Sequence, residues 1–156
     1  CVCGYGELGE DLRVRAAELG ISVDFVGPPG VGFAEVNRLM NLAKIGVVCG
    51  VDDGAPAILT EYQLAGLPVL ANEALTCGLQ FVIPPTGRTA KADDFHLALA
   101  DMLENLEAFR PRETAIRLWC WPTTIVRFAD LVESARHRKR EAASQGTIAV
   151  PRPGHQ

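Results

Sequence analysis

The chain has no stretch approaching the 18 or so consecutive apolar residues that a membrane-spanning helix needs. No secretory signal pattern is visible either, so a cytoplasmic protein with at most peripheral membrane contact is expected. Its five cysteines, at 1, 3, 49, 77 and 120, include no C-x-x-C pair, and an odd number cannot all close into internal disulfides. Reduced thiols are expected, with Cys49 acting as a small hydrophobe inside an apolar strand. The three histidines, His96, His137 and His155, show no metal-ligand spacing, so no metal is expected. No Ser-His-Asp or Cys-His arrangement supports hydrolytic nucleophile chemistry. No internal repeat is present.

What is present fits one α/β domain. A chain of 156 residues buries roughly 68–70% of its unfolded surface, enough for a sizeable core. Charge is uneven. From Arg136 onward five basic residues (Arg136, Arg138, Lys139, Arg140, Arg152) face one acid, Glu141, which leaves residues 1–135 strongly acidic within an overall charge of −4. An acidic body disfavours nucleic acid as a partner. The basic run could touch an anionic membrane surface, and a solvated helix end is the competing reading.

Strand and helix signals alternate, which predicts a parallel sheet covered by helices on both faces. A first helix is expected over about 7–19, with Leu8, Leu12, Ala16 and Leu19 on one face and Gly20 as its stop. A short strand follows over 22–26, then a helix over about 34–42 and a central strand over 45–49. After the next helix come a strand over 68–71, a short last strand over 81–83 and the turn Pro84-Pro85-Thr86-Gly87. The rest reads as helical, with Phe95, Leu99, Met102, Leu103 and Leu106 as a stripe and Asp93 and Asp94 near its positive end. Pro122 then separates a segment over 112–121 from a helix carrying Ile125, Phe128, Val132 and Ala135. Trp119 and Trp121 are expected to pack these last helices, or as an aromatic pair to face a domain outside these residues. The domain is placed at 1–140, with 141–156 a disordered tail and no second domain. The opening Cys1-Val2-Cys3-Gly4 reads as the end of a strand entering a glycine turn, so the sequence is expected to be a fragment incomplete at its N-terminus.

Chemistry concentrates in residues 53–70. Asp53 and Glu61 stand eight positions apart across a helix start, roughly 12 Å if the segment is regular helix. Pro56 suits a first helical turn, and Gly54 lets bare amides approach a ligand and hold anions. Asp53 can also be read as a simple helix N-cap. Glu61 lies at the edge of the face made by Ile58, Tyr62 and Ala65, so it should be partly covered and paired, with a ligand or with a structural cation.

The run from Asp53 through Gly54, Pro56 and Glu61 to Gly66-Leu67-Pro68-Val69 resembles the Glu-x7-Glu signature of the nucleotide-binding half of group 1 (family four) retaining glycosyltransferases with two Rossmann-like domains, the GT-B fold. Gly4-Tyr5-Gly6-Glu7, Val23–Gly27, Asn41–Val48 and Thr86-Gly87 occur in that family's order, so the resemblance covers about residues 1–135. It departs at Asp53, where the family usually has Glu. The resemblance implies a C-terminal, Rossmann-like, donor-binding domain that transfers a sugar from a nucleoside-diphosphate sugar, with retention, in glycan biosynthesis. No cofactor other than this donor is implied. Asp53 and Glu61 become catalytic candidates, Asp53 at the sugar end and Glu61 on the ribose. The backbone at Gly54, Ala55, Pro56 and Ala57 would meet sugar or phosphate oxygens. Gly4 and Gly6 would line the donor site, and the Gly27-Pro28-Pro29-Gly30 loop would lie near the nucleobase, a rigid surface turn being the competing reading. The acceptor (glycan, lipid or small molecule), its domain, and the Arg and Lys that neutralise the diphosphate would lie outside these residues, leaving the isolated fragment inactive.

Two other classes compete. Gly4-Tyr5-Gly6-Glu7-Leu8-Gly9 is a literal G-x-G-x-x-G with Asp24 twenty residues on, which allows an NAD-binding oxidoreductase domain. The Asp53 replacement allows a catalytically inactive interaction module on the same fold.

Overall fold

The computed structural model describes residues 1–145 apart from Tyr5, Pro28, Pro29 and Ala55, and at Gln145 the backbone alone. Within these residues the chain is α/β: β1 Val2–Cys3, α1 Gly9–Glu18, β2 Phe25–Val26, α2 Phe33–Leu42, β3 Gly46–Val48, α3 Ala57–Leu64, β4 Val69–Asn72, β5 Gly87–Ala90, α4 Phe95–Glu104, α5 Pro111–Trp119 and α6 Trp121–Gln145. All described strand pairs are parallel. They form two short sheets, β1–β2 and β3–β4–β5, where one sheet was expected. β1 and β3 still lie side by side, because Cys1 and Cys3 share a crevice of about 400 Å³ with Ile45, Gly46 and Val47.

β4 is the spine. Its alternating side chains serve opposite faces, as the two-residue period of a strand requires. Val69 and Ala71 pack with Leu59 and Leu75, while Leu70 packs with Ala90, Met102 and Phe109. The apolar run that predicted a buried strand therefore has a physical cause, since β4 is covered by a helix on each side. Gly87 brings β5 close: a Cβ there would lie 2.0 Å from the Val69 carbonyl oxygen.

The strand expected over 81–83 is not formed. Leu79–Phe81 is a 3₁₀ turn instead. Local groups take the backbone bonds a ladder would need: the buried Thr86 hydroxyl donates to the carbonyls of Phe81 (2.8 Å) and Ile83 (3.0 Å) and accepts from the Ile83 N–H (2.9 Å). The last strand is Gly87–Ala90, whose Gly-Arg-Thr-Ala composition carries no strand pattern.

Other expectations shift by exposure. α1 buries Ala16, but Leu8, Leu12 and Leu19 are exposed. On α4 Met102 is fully buried and Leu103 is exposed. The chain divides into two compact units, residues 1–114 and 115–156, with the division inside α5. α6 is continuous to Gln145, so the first five residues of the expected tail are helical; 146–156 lie outside the described residues. In the second unit Thr123 and Thr124 hydroxyls donate to the Arg117 and Trp119 carbonyls, joining the end of α5 to the start of α6. Trp121 is exposed where packing was expected. No described helix is long and apolar enough to cross a membrane.

Candidate functional site

β3, α3 and β4 form one β–α–β unit, so the loop over 49–56 leaves the carboxyl end of a parallel strand, where open α/β sheets gather their ligands. That loop is stitched to the one following β4. Asn72 donates to the Cys49 carbonyl (3.1 Å), the Thr76 N–H to the Val51 carbonyl (2.9 Å), and the Thr76 hydroxyl to the Asp53 carbonyl (3.4 Å). Asn72 also accepts from the Ala74 N–H at 3.0 Å. Gly78 backs the assembly: its φ is +94°, and a Cβ there would sit 2.7 Å from Pro56 Cγ and Leu59 Cδ1. Sequence reasoning passed over residues 72–78, because a scaffold of loop-to-loop hydrogen bonds leaves no periodic trace.

α3 begins at Ala57 with Pro56 in the cap position and no side-chain cap, so Asp53 does not occupy the N-cap position. The segment between the two acids is therefore not regular helix, and the 12 Å spacing drawn from helical rise does not apply. Asp53, Gly54 and Ala57 are exposed and Pro56 is buried. No acid lies in the first turn of α3, which leaves its amide end electrically positive. Ala55 lies outside the described residues.

Glu61 is exposed, not partly covered as its position on the helix suggested. Among the described residues it forms no ion pair. It lines an open groove of about 510 Å³ between α2 and α3, with Asn37 and Asn41 on one wall, Leu64 and Ala65 on the other, Arg112 from α5 and Phe33 at the start of α2. Asn41 donates to the carbonyl of Asn37 (2.7 Å) and to its side-chain oxygen (3.3 Å), fixing this amide pair. Phe33 is 95% exposed, an aromatic face open to solvent beside a carboxylate. Arg112 and the two asparagines were missed in the sequence, since only the tertiary fold brings α2 and α5 beside Glu61.

No protein-family model matches this chain, and no curated protein is significantly similar to it.

Behind Glu61 the helix is clamped. The neighbouring Tyr62 ring lies on Gly46, where a Cβ would be 2.3 Å from Cδ2. Burial pushes the Tyr62 phenol above its ordinary value, and negative charge at Cys3, Glu61 and Cys49 pushes the same way. Gln63 is fully buried; its Nε2 donates to the Phe81 carbonyl at 2.8 Å, and its Oε1 has no partner among the described residues.

The glycine-rich residues sit elsewhere. Gly4 and Gly6 line a separate cavity of about 330 Å³ with Glu7, Glu10 and Arg13, not the Glu61 groove. Gly27 packs on β1, and its φ of +129° and a Cβ position 2.3 Å from the Gly4 carbonyl oxygen require glycine there. Pro28 lies outside the described residues. Of the predicted site residues, the fold joins Asp53, Gly54 and Pro56 in one loop, puts Ala57 at the first position of α3, sets Glu61 in a groove one helical turn on, and holds Gly4 with Gly27 at the ends of β1 and β2. Among the described residues no cluster of three His, Cys, Asp or Glu side chains could hold a metal ion.

Proposed function

We propose that residues 1–114 form the donor-binding part of a retaining, GT-B-type glycosyltransferase, holding a nucleoside-diphosphate sugar. The observation that carries this reading is Glu61: a carboxylate without an ion pair among the described residues, facing an open groove with an amide pair, a guanidinium and an exposed aromatic ring. A carboxylate is a natural acceptor for a ribose diol, and Arg112 supplies positive charge to the same groove. The donor would run from this groove past the uncapped first turn of α3, where amide dipoles favour phosphate oxygens, to the loop of Asp53 and Gly54. Positioning and charge stabilisation are the work asked of such a half-site, with the acceptor held elsewhere.

The test is direct titration with UDP, GDP and ADP, comparing the parent with Glu61→Ala. One hydrogen-bonded charged group in an exposed groove contributes at the lower end of about 1.5–3 kcal/mol, so affinity should fall roughly tenfold. Equal affinity with intact folding overturns the ribose assignment. The NAD reading gains nothing from the glycine-rich loop, because two acids, Glu7 and Glu10, line its cavity against one cation, Arg13, a balance that disfavours a pyrophosphate.

A further inference from the structure

We propose that α6 is a surface-seeking helix that lies in the plane of an anionic lipid bilayer. It spans Trp121–Gln145, about 37 Å at the usual rise. At 100° per residue Trp121, Ile125, Phe128, Leu131, Val132 and Ala135 fall within an arc of about 120°. This stripe is open to solvent: Trp121 is 78%, Phe128 62% and Leu131 66% exposed. The acids Asp130, Glu133 and Glu141 lie on the opposite side. The cations lie between, Arg127 and Arg138 along one border of the stripe and Arg136 and Arg140 along the other, with Lys139 continuing it beyond Ala135.

Each part of that arrangement has a use at a membrane surface. Apolar side chains enter the boundary between headgroups and acyl chains, a tryptophan sits at that level, and long bordering cations reach lipid phosphates while their stems stay in apolar surroundings. The acids face water. Arg136 pairs with Glu133 at 2.8 Å, whereas Arg138, Lys139 and Arg140 form no ion pair among the described residues. The charges forbid spanning, in agreement with the absence of a membrane-crossing helix among the described residues. The stripe could also serve as a coiled-coil seam, since Ile125, Phe128, Val132 and Ala135 follow a 3-4-3 spacing. Two copies would then bring Arg136 and Arg138 against their like and place Lys139 on the seam, which disfavours self-pairing. Charge complementarity therefore selects anionic lipid.

Flotation of the full chain with vesicles tests this. The chain should float with phosphatidylcholine–phosphatidylserine vesicles, stay behind with phosphatidylcholine alone, and be released at high salt. Arg138→Ala combined with Arg140→Ala should lower partitioning roughly 25-fold, about fivefold for each charge. Phe128→Glu should abolish it, while Val126→Glu, on the polar side though equally apolar in the parent, should leave it unchanged. Far-UV circular dichroism checks that α6 persists; if Phe128→Glu loses helicity, the arginine pair decides. Equal binding to neutral vesicles, equal loss from Val126→Glu and Phe128→Glu, or a dimer by light scattering with no vesicle binding would each overturn the assignment.

Discussion

Replacing Gly78 by Ala probes the support of the candidate site from behind, through the Pro56 ring and Leu59, without altering either candidate carboxylate. Two costs add. The backbone at φ +94° disfavours any side chain by about 1–2 kcal/mol. The new methyl would lie 2.7 Å from both Pro56 Cγ and Leu59 Cδ1, and with Pro56 buried and Leu59 fully buried neither can swing into solvent. Such overpacking costs about 1–3 kcal/mol. Stiffening of the unfolded chain returns about 0.4–1 kcal/mol, so the net loss is about 1–4.5 kcal/mol. Urea unfolding followed by circular dichroism reads this as a lower midpoint at unchanged slope. Gly54→Ala is the control, because nothing lies within 4 Å of a Cβ at that position. Should Gly78→Ala fall within about 0.5 kcal/mol of the parent, or match Gly54→Ala, the idea that Gly78 buttresses the start of α3 fails.

Three further outcomes follow from single contacts. Thr86→Val removes three hydrogen bonds, yet the Phe81 carbonyl keeps Gln63 and the Ile83 carbonyl keeps the N–H groups of Thr86 and Gly87, so only the Ile83 N–H is orphaned. The expected loss is about 1–3 kcal/mol in chemical unfolding, with Thr86→Ser losing less; equal losses would refute a role for the hydroxyl. In a Tyr5→Phe background, phenolate absorbance should titrate Tyr62 above its ordinary value of 10.0 because of burial, and Glu61→Ala should lower the midpoint by removing one negative charge. Since the folded value is the raised one, the stabilisation is complete below pH 10 and is lost as pH rises through the folded value. Gly46→Ala should displace the Tyr62 ring and destabilise the fold by about 1–3 kcal/mol, readable as a lower melting temperature.

The order of elements was legible because it is written in local chemistry. Unbroken apolar residues over 68–71 mark a strand covered on both faces, those over 45–49 mark its parallel neighbour, which leaves Val47 and Cys49 exposed, and the four-residue spacing around Met102 marks a helix against them. Gly20 stops α1 as expected, adopting a φ of +65° that other residues avoid. The Gly87–Ala90 strand was illegible. Its place depends on Val69 offering an edge and on Thr86 turning the chain, and neither lies in the local composition. Residues 81–83 failed for the converse reason, since an apolar triplet says nothing of a hydroxyl three residues on that takes its backbone groups.

The candidate site divides in the same way. The sequence alone determined that an acid stands before α3, that another stands on it, and that glycine and proline shape the entry, because capping and helix-start chemistry act between neighbours. Only the tertiary structure decided that Glu61 is exposed, that Asn37, Asn41, Phe33 and Arg112 share its groove, and that the glycine-rich turn lines a different cavity. Those relations depend on how side chains twenty or more residues apart in sequence are brought together by helix packing, and packing is fixed by the volumes and faces of many side chains at once. No spacing rule carries that information.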